Sequence, residues 1–334
     1  MDVFRIVTRA AWLAPFPLAR RLAPSSVAVL GLHVVGPRLQ PHQVFMRRVP
    51  DEREFERQLD FALRHYTIVD LRALIGSVAG EAPLPPRSLH LTFDDGSVEC
   101  GATIAPMLKR KGVPATFLVC TAVLDNQDLL YRHKASVLHD HLRRQGGAQP
   151  PAAGDLADAW RRVRADPMSV SYGERHVLNR LAVVLGVDFA EYARERQPYL
   201  TTPMIREMIA AGFAVGSHSI DHPPFTAISE PEQRRQARES LDVLCSRFGL
   251  GYRAFAFPYT EEGLPARALA ALMADAGADI VFGTRGFVSD PAPRILHRLI
   301  VDKPDGLSLR EKLTKQYLRS AVLRATGRAV VRRT

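Results

Sequence analysis

Cysteine and long apolar runs are both scarce in this sequence, and each shortage argues against a class of protein. Only three of the 334 residues are cysteines, Cys100, Cys120 and Cys245, and no two of them have Cys-x-x-Cys spacing. This argues against a disulfide framework or a zinc knuckle and favours a reducing compartment. Because no run of about twenty apolar residues occurs, we expect no segment that spans a bilayer.

A secretory leader is also not evident in the first residues. The apolar stretch within residues 1–25 is broken by Arg9, Pro15 and Pro17, whereas a signal peptide has a longer uninterrupted apolar core. We therefore expect a cytoplasmic protein with an N-terminal extension over residues 1–25. Peripheral contact with the inner face of a membrane remains an open alternative.

Acidic residues are fewer than basic ones: the sequence has 35 aspartates and glutamates and 45 lysines and arginines, which gives a net charge of +10. Such a balance favours anionic surroundings such as phospholipid head groups or nucleic acid. No basic motif with interleaved aromatic residues occurs, so we expect no nucleic-acid partner. The basic residues after Arg310 follow a helical pattern. That helix either lies on anionic lipid or is solvated.

Strand-like and helix-like segments alternate along the chain, which predicts parallel strands joined by helical crossovers. Predicted strands cover residues 26–35, 66–69, 88–93, 115–120, 213–216, 252–257 and 280–282. One predicted helix begins after Asp51, and the others cover residues 71–78, 101–111, 202–211 and 229–248. Residues 125–200 interrupt this alternation as a helical insertion with a flexible middle at 145–154. The pattern fits a barrel or an open doubly wound sheet.

Two adjacent carboxylates end the strand-like stretch at residues 88–96, Ser-Leu-His-Leu-Thr-Phe-Asp-Asp-Gly. Its alternation predicts a strand with one buried face that runs into Asp94 and Asp95. Asp-Gly is also ordinary turn chemistry, so the carboxylates indicate a site only if partners occur elsewhere.

His218 and His222 are the candidate partners, because they also follow a predicted strand. In one turn of helix, their spacing of four would place both imidazoles on one face. Two imidazoles and one carboxylate leave positions open on a divalent metal, and a second carboxylate can accept a proton from the attacking water. This predicts hydrolysis of a carbonyl compound. The same three ligands also fit an Fe(II) oxygenase, although the strand–helix alternation and the second aspartate argue against it.

Thr92-Phe-Asp-Asp-Gly96 and His218-Ser-Ile-Asp-His222 resemble the first two motifs of the polysaccharide deacetylase family, the carbohydrate esterases with a NodB-like domain. The resemblance extends from about residue 33 to residue 298. It implies an α/β fold, a distorted (β/α) barrel with its site at the C-terminal ends of the strands. It also implies that Asp94 is the catalytic base and that Asp95, His218 and His222 bind a divalent metal, with Zn²⁺ expected and Co²⁺ an alternative.

The third family motif is matched only in part. Pro258-Tyr259 resembles the Pro-Tyr element, whose backbone N–H helps to hold the oxyanion. Ala256 stands where many members have an arginine. Arg253 is nearby and is either a substrate-binding residue or a surface charge.

The sequence matches the remaining family motifs less well. His297, in Ile295-Leu-His297, resembles the Leu-x-His motif and is either the acid that protonates the leaving amine or a spacer before a strand. The tryptophan-containing fourth motif has no counterpart. Without a general acid, O-deacylation is easier to explain than amide cleavage, because an alkoxide leaves more readily than an amine.

Two further features allow more than one interpretation. Tyr131-Arg-His-Lys134, in the insertion, either reaches over the site as a substrate clamp or forms a solvated helix face. His33, after the first strand, either lines the mouth of the barrel or is a core histidine.

We therefore predict a deacetylase-like barrel over residues 26–305, with the insertion at about 125–200, followed by a basic C-terminal helix over 306–334. The predicted reaction removes an acyl group, with acetyl expected, from an amino sugar or a cell-surface glycan precursor, in free or lipid-linked form. An inactive relative that binds glycan is the competing hypothesis, because the arginine is missing and the acid is not established.

Overall fold

A computed structural model describes residues 15–22, 27–146, 149, 151, 154–292, 294–302 and 304–333. Most of the predicted N-terminal extension and part of the predicted flexible segment at 145–154 therefore lie outside the described residues. Strands in the described part are β1 Val27–Leu32, β2 Thr67–Ile68, β3 Ser88–Phe93, β4 Thr116–Val119, β5 Ala214–Ser217, β6 Ala254–Ala256, β7 Ile280–Gly283 and β8 Ile295–Ile300.

Helices surround these strands in the order of the chain. The α-helices in the described residues are α1 Phe16–Arg20, α2 Glu52–His65, α3 Leu71–Val78, α4 Ala105–Arg110, α5 Tyr131–Arg144, α6 Gly154–Ala165, α7 Arg175–Val184, α8 Phe189–Arg196, α9 Thr202–Ala210, α10 Glu230–Phe248, α11 Ala266–Ala276 and α12 Leu309–Ala325. No helix among these residues is both long and apolar enough to cross a bilayer.

Seven strands close into a parallel barrel. Hydrogen bonding runs in the order β1, β8, β7, β6, β5, β4, β3, and β1 also pairs with β3 along its whole length. β2 pairs only with the first two residues of β3 and lies outside the ring. The predicted distorted barrel is confirmed. Because all seven strands run in one direction, the residues after their C-terminal ends meet at a single rim.

Both faces of β3, the strand that ends before Asp94 and Asp95, are buried, so the prediction of a single buried face is wrong. Leu89, Leu91 and Phe93 join the outer core beneath the helices. His90 is also fully buried and is hydrogen-bonded to the Val69 carbonyl and to the Thr116 hydroxyl. A barrel strand has an interior face as well as a helix-covered one, and here polar side chains occupy part of the interior.

The predicted helix caps are present. The Asp51 side chain accepts a hydrogen bond from the Glu54 amide at 2.7 Å, and Ser229 caps α10 in the same way. Gly249 ends α10 with a φ of 65°, which favours glycine. The predicted helix over 101–111 begins instead as a π-helical turn at Cys100–Ile104. Pro106, which lacks an amide hydrogen, interrupts the regular α-helical ladder there.

The insertion has a hydrophobic core of its own. Helices α5 to α8 enclose Leu138, Trp160, Val163 and Leu178, which form a cluster separate from the outer core of the barrel. The insertion is therefore a compact helical unit. It stands in the chain between β4 and β5, and β5 is the strand that precedes His218.

Helix α12 packs against the barrel. Leu309, Leu313 and Tyr317 are buried in the outer core, and the Tyr317 hydroxyl lies 2.7 Å from that of Tyr66. Arg310 and other basic side chains of α12 remain exposed. The helix therefore covers apolar surface and presents a charged face to solvent.

Candidate active site

The two predicted motifs meet at the C-terminal rim of the barrel. Asp94 and Asp95 follow β3, and His218 follows β5, while β4 lies between these strands. His222 Nε2 lies 3.2 Å and His218 Nε2 3.6 Å from Asp95 Oδ1. The structure thus brings together four side chains from segments more than a hundred residues apart in the sequence.

The two imidazoles converge through a loop, not through the predicted helical turn. Their ring centroids are 4.9 Å apart. Ser219 and His222 have φ values of 78° and 64°, and Asp95 has a φ of 69°. Left-handed backbone at residues other than glycine is costly and is typically retained at functional sites.

Asp95, His218 and His222 form a candidate metal centre. One ligand atom from each lies within 4.8 Å of the other two. Asp95 Oδ1 is buried and has no hydrogen bond of acceptable geometry among the described residues. His218 Nδ1 donates to the Ala256 carbonyl at 3.0 Å, which leaves Nε2 free as a ligand. These donors fit a divalent ion such as Zn²⁺.

Protonation favours the same assignment. Burial lowers the pKa of His218 to about 4, so its imidazole is neutral at pH 7, as a metal ligand requires. Burial opposes ionisation of Asp95, but the Coulombic interaction with the neighbouring His222 holds the Asp95 pKa well below its usual range. The cluster therefore offers one anionic and two imidazole donors.

Arg298 is the buried cationic partner of Asp94. Its Nη1 donates to Asp94 Oδ1 at 2.5 Å and to Thr92 Oγ1 at 3.0 Å, and the side chain is fully buried. Burial alone would raise the pKa of Asp94, but Arg298, followed by His218 and His33, lowers it below its usual value. Asp94 is therefore a carboxylate at neutral pH, as a base must be.

His33 lines the mouth of the barrel and is paired with Asp302. Its Nδ1 lies 3.0 Å from Asp302 Oδ2, and its Nε2 lies 4.0 Å from Asp94 Oδ2. The His33 side chain is 24% exposed. Burial would lower its pKa, but the Asp302 carboxylate raises it to about 10. His33 is therefore an imidazolium that faces the site, and its alternative as a core histidine is wrong.

The interpretation of His297 as the catalytic acid is corrected. Its side chain is fully buried, with Nε2 2.9 Å from Asp290 and Nδ1 3.3 Å from Glu261. On β8 it points away from the barrel interior, whereas the next residue, Arg298, points inward to Asp94. His297 belongs to a buried ionic cluster behind the site.

Arg253 does not reach the site either. It precedes β6, at the opposite end of the barrel from the catalytic rim. Its Nη2 donates to Asp242 and its Nε to the Ala276 carbonyl. The prediction that Arg253 binds substrate is therefore wrong, and its alternative as a peripheral charge fits.

Tyr259 lies at the site, directly after Pro258. Its ring is 4.6 Å from the His222 ring, its hydroxyl donates to that of Tyr131 at 3.0 Å, and its φ is 57°. The role of this Pro-Tyr element in holding an oxyanion stays a prediction.

The insertion contributes to the walls of the site. A cavity of about 750 Å³ opens over the four motif residues, and Arg132 and His133 of α5 line it beside His33 and Tyr259. Lys134 instead pairs with Asp128 at 2.8 Å, away from this cavity. A wholly solvated face for residues 131–134 is therefore excluded, and two of these residues line the active-site cavity.

Sequence reasoning missed Arg298 and Asp302. The short-range signal for Arg298 was its place next to His297 in a strand, where adjacent side chains face opposite sides. For Asp302 the local sequence offers no signal, because its partner His33 is 269 positions away.

A family model described as polysaccharide deacetylase matches residues 81–171 and 174–280, more than half of the chain. This match includes both predicted motifs but stops before β8 and Asp302, and it begins after His33. No curated protein sequence matches the chain significantly.

Solved structures share the fold at low sequence identity. The deacetylase PplD of Streptococcus pyogenes, solved with acetate, superposes with a TM-score of 0.55 at 14% identity, covering 88% of this chain and 99% of that one. IcaB of Ammonifex degensii superposes with a TM-score of 0.55 at 18% identity, covering 89% and 98%. A de-N-acetylase of Aggregatibacter actinomycetemcomitans gives 0.53 at 16% identity, covering 86% and 99%.

Proposed function

The chain belongs to the polysaccharide deacetylase family, and from this premise we propose that it is a metal-dependent hydrolase that removes an acetyl group from an amino sugar of a cell-surface glycan or its precursor. Membership makes the chain a carbohydrate deacetylase that acts on glycans. The observation that supports the finer proposal is the single cavity that contains a charged base, an imidazolium and a candidate metal centre.

Asp95, His218 and His222 are the proposed metal ligands, with Zn²⁺ or Co²⁺ as the ion. When bound, a divalent ion polarises a carbonyl oxygen and lowers the pKa of water. The chain itself holds the proposed ligand atoms in place, through the hydrogen bond from His218 to Ala256 and the constrained backbone at His222.

Asp94 is the proposed base. It accepts a proton from the water that attacks the acetyl carbon, and Arg298 keeps it ionised before the reaction. Tyr259 lines the active-site cavity directly after Pro258, and its backbone N–H is proposed to stabilise the developing oxyanion.

His33 is the proposed acid, in place of His297. As the carbon–nitrogen bond breaks, Nε2 gives its proton to the leaving amine, and acetate and the free amino sugar are the products. Asp302 positions the ring through Nδ1 and keeps it protonated. A charged acid at the site supports amide cleavage, and so removes the reason for preferring O-deacylation.

The exposed cations of α12 support a cytoplasmic location with the substrate on a lipid carrier. Arg310, Lys315 and Arg319 of this helix are exposed, and they suit an anionic surface. Fractionation of cells, with the protein recovered from the cytoplasm or from washed membranes, tests this part of the proposal. Recovery from an extracellular fraction would contradict it.

Metal removal provides the direct test of the reaction. We expect wild-type protein to release acetate from at least one of a set of free, nucleotide-linked and lipid-linked N-acetyl amino sugars, to stop after chelation, and to recover with Zn²⁺. Because metal binds the folded state, Zn²⁺ at about 100 times its Kd should stabilise the fold by about 2.7 kcal/mol. Calorimetric melting and metal analysis measure this effect.

His222→Ala should lose both the Zn²⁺-dependent stabilisation and the activity. His176→Ala is the matched control, because His176 is exposed and does not line the active-site cavity. Activity unaffected by chelation, or oxygen consumption without acetate release, would contradict the proposed chemistry.

His33→Gln should reduce deacetylation of an amino sugar by about 10²- to 10⁴-fold, because the amine then leaves unprotonated. Hydrolysis of 4-nitrophenyl acetate, whose leaving group needs no proton, should fall much less. The comparison of kcat/KM for the two substrates separates acid catalysis from a structural effect. Equal losses on both substrates would refute this role for His33.

A further inference from the structure

A second cavity adjoins the active site. It has a volume of about 430 Å³ and lies between α12, the segment after β7 and residues 328–331. Thr260, Glu262, Thr284 and Ile300 line both this cavity and the active-site cavity. The two cavities therefore adjoin along these shared residues.

Positive charge dominates the walls of this second cavity. Three of its cations are paired with carboxylates, since Arg285 lies 3.2 Å from Glu262, Lys312 lies 2.9 Å from Asp305 and Arg298 lies 2.5 Å from Asp94. The other three are Lys315, Arg319 and Arg328, which line the cavity and have no carboxylate partner in the part of the chain that the structure describes. Uncompensated cations that share a cavity indicate an anionic ligand.

Buried donors in the same walls also lack acceptors. Arg298 is fully buried, and although its Nη1 binds Asp94, its Nε and Nη2 have no acceptor among the described residues. Gln316 is 6% exposed, and its Nε2 likewise has no acceptor there. Leaving buried donors unpaired is unfavourable, so an oxygen-rich ligand would stabilise this arrangement.

We propose that the second cavity binds a phosphate or diphosphate group attached to the amino-sugar substrate. This inference rests on the proposed function for the identity of the sugar. Phosphate matches the donors better than a carboxylate, because a carboxylate has only two oxygens. Among the described residues, three cations of the cavity have no carboxylate partner, and Arg298 and Gln316 have buried donor atoms without an acceptor. Arg298 contacts the proposed base and is also among the residues that line the second cavity, so the proposed phosphate site adjoins the proposed site of deacetylation.

Titration calorimetry with inorganic pyrophosphate tests the site on the full chain. The Lys315→Ala/Arg319→Ala variant should bind pyrophosphate on the order of tenfold or more weakly than the wild type, because charge-assisted hydrogen bonds are lost. Both side chains are exposed on a helix, where alanine is well tolerated, and circular dichroism checks the fold. Arg310→Ala is the matched control, because Arg310 lies on the same helix but outside the cavity, and it should bind as the wild type does.

Two further probes distinguish the source of the phosphate. UDP-N-acetylglucosamine that binds with the same dependence on Lys315 and Arg319 identifies a sugar-linked phosphate. Dependence confined to phosphatidylglycerol vesicles would identify a lipid head group and overturn the substrate assignment. Equal pyrophosphate affinity in the wild type and the double variant, or no binding of any probe, would overturn the site itself.

Pyrophosphate has no acyl group, so this measurement is independent of turnover. A chain that binds pyrophosphate but releases no acetate contradicts the proposed function alone. A chain that deacetylates neutral glycans but does not bind pyrophosphate contradicts the anion site alone.

Discussion

Asp94→Asn should lower acetate release by about 10²- to 10⁴-fold, with the metal content of the protein unchanged. The amide cannot accept the proton of the attacking water. Its oxygen can still accept the hydrogen bond from Arg298, which keeps the local geometry. Acetate release under saturating Zn²⁺ and metal analysis of the purified variant provide the two readouts.

Asp95→Asn is the matched control for this prediction. It changes the neighbouring carboxylate in the same way, but Asp95 belongs to the candidate metal centre. We expect Asp95→Asn to lose metal affinity together with activity, whereas Asp94→Asn loses activity alone. If both variants lose metal equally, or if Asp94→Asn retains most of its activity, the division of roles between the two aspartates is wrong.

The two aspartates and the two histidines of the site were predictable because they lie in short motifs. Asp94 and Asp95 end one strand, and His218 and His222 follow another. Parallel strands in a closed barrel place their C-terminal ends at one rim, so the motifs had to converge once the fold was known. The left-handed backbone at Asp95, Ser219 and His222 was not predictable, because it depends on contacts that only the folded chain supplies.

The two pairs Arg298–Asp94 and His33–Asp302 depend on contacts between distant parts of the chain. Arg298 and Asp94 are 204 positions apart, and His33 and Asp302 are 269 apart. These pairs form only because β1 and β8 close the barrel beside β3, a pairing that no local pattern encodes. The choice between His297 and Arg298 depended on which way β8 faces, and a shift of one residue exchanges the two faces of a strand.

Arg298→Met should lower the free energy of unfolding of the metal-free protein at pH 7 by about 3–5 kcal/mol, because it leaves the Asp94 carboxylate buried beside no arginine. In the wild type, Arg298 holds the pKa of Asp94 below its usual value. That pairing stabilises the fold above the unfolded pKa of about 3.9, and the benefit is lost as pH falls through the folded pKa.

In Arg298→Met the pKa of Asp94 should rise above its wild-type value, because only His218 and His33 then oppose the effect of burial. The ionised group is then less favourable than in the wild type, so the deficit in stability should shrink as the pH is lowered and Asp94 takes up a proton. The acid limb of kcat/KM should move to higher pH for the same reason. Denaturant unfolding at several pH values and a pH–rate profile measure these shifts.

Arg253→Met controls for the loss of an arginine that lies away from the catalytic rim. Asp242, the partner of Arg253, is 55% exposed, so the ion pair between them should contribute only about 0–1 kcal/mol to stability. The pH–rate profile of Arg253→Met should therefore match that of the wild type.

In Asp94→Asn/Arg298→Met, no buried charge is left unpaired, so the double variant should be more stable than the sum of the single losses predicts. Strictly additive losses would mean that Arg298 does not stabilise the fold through Asp94.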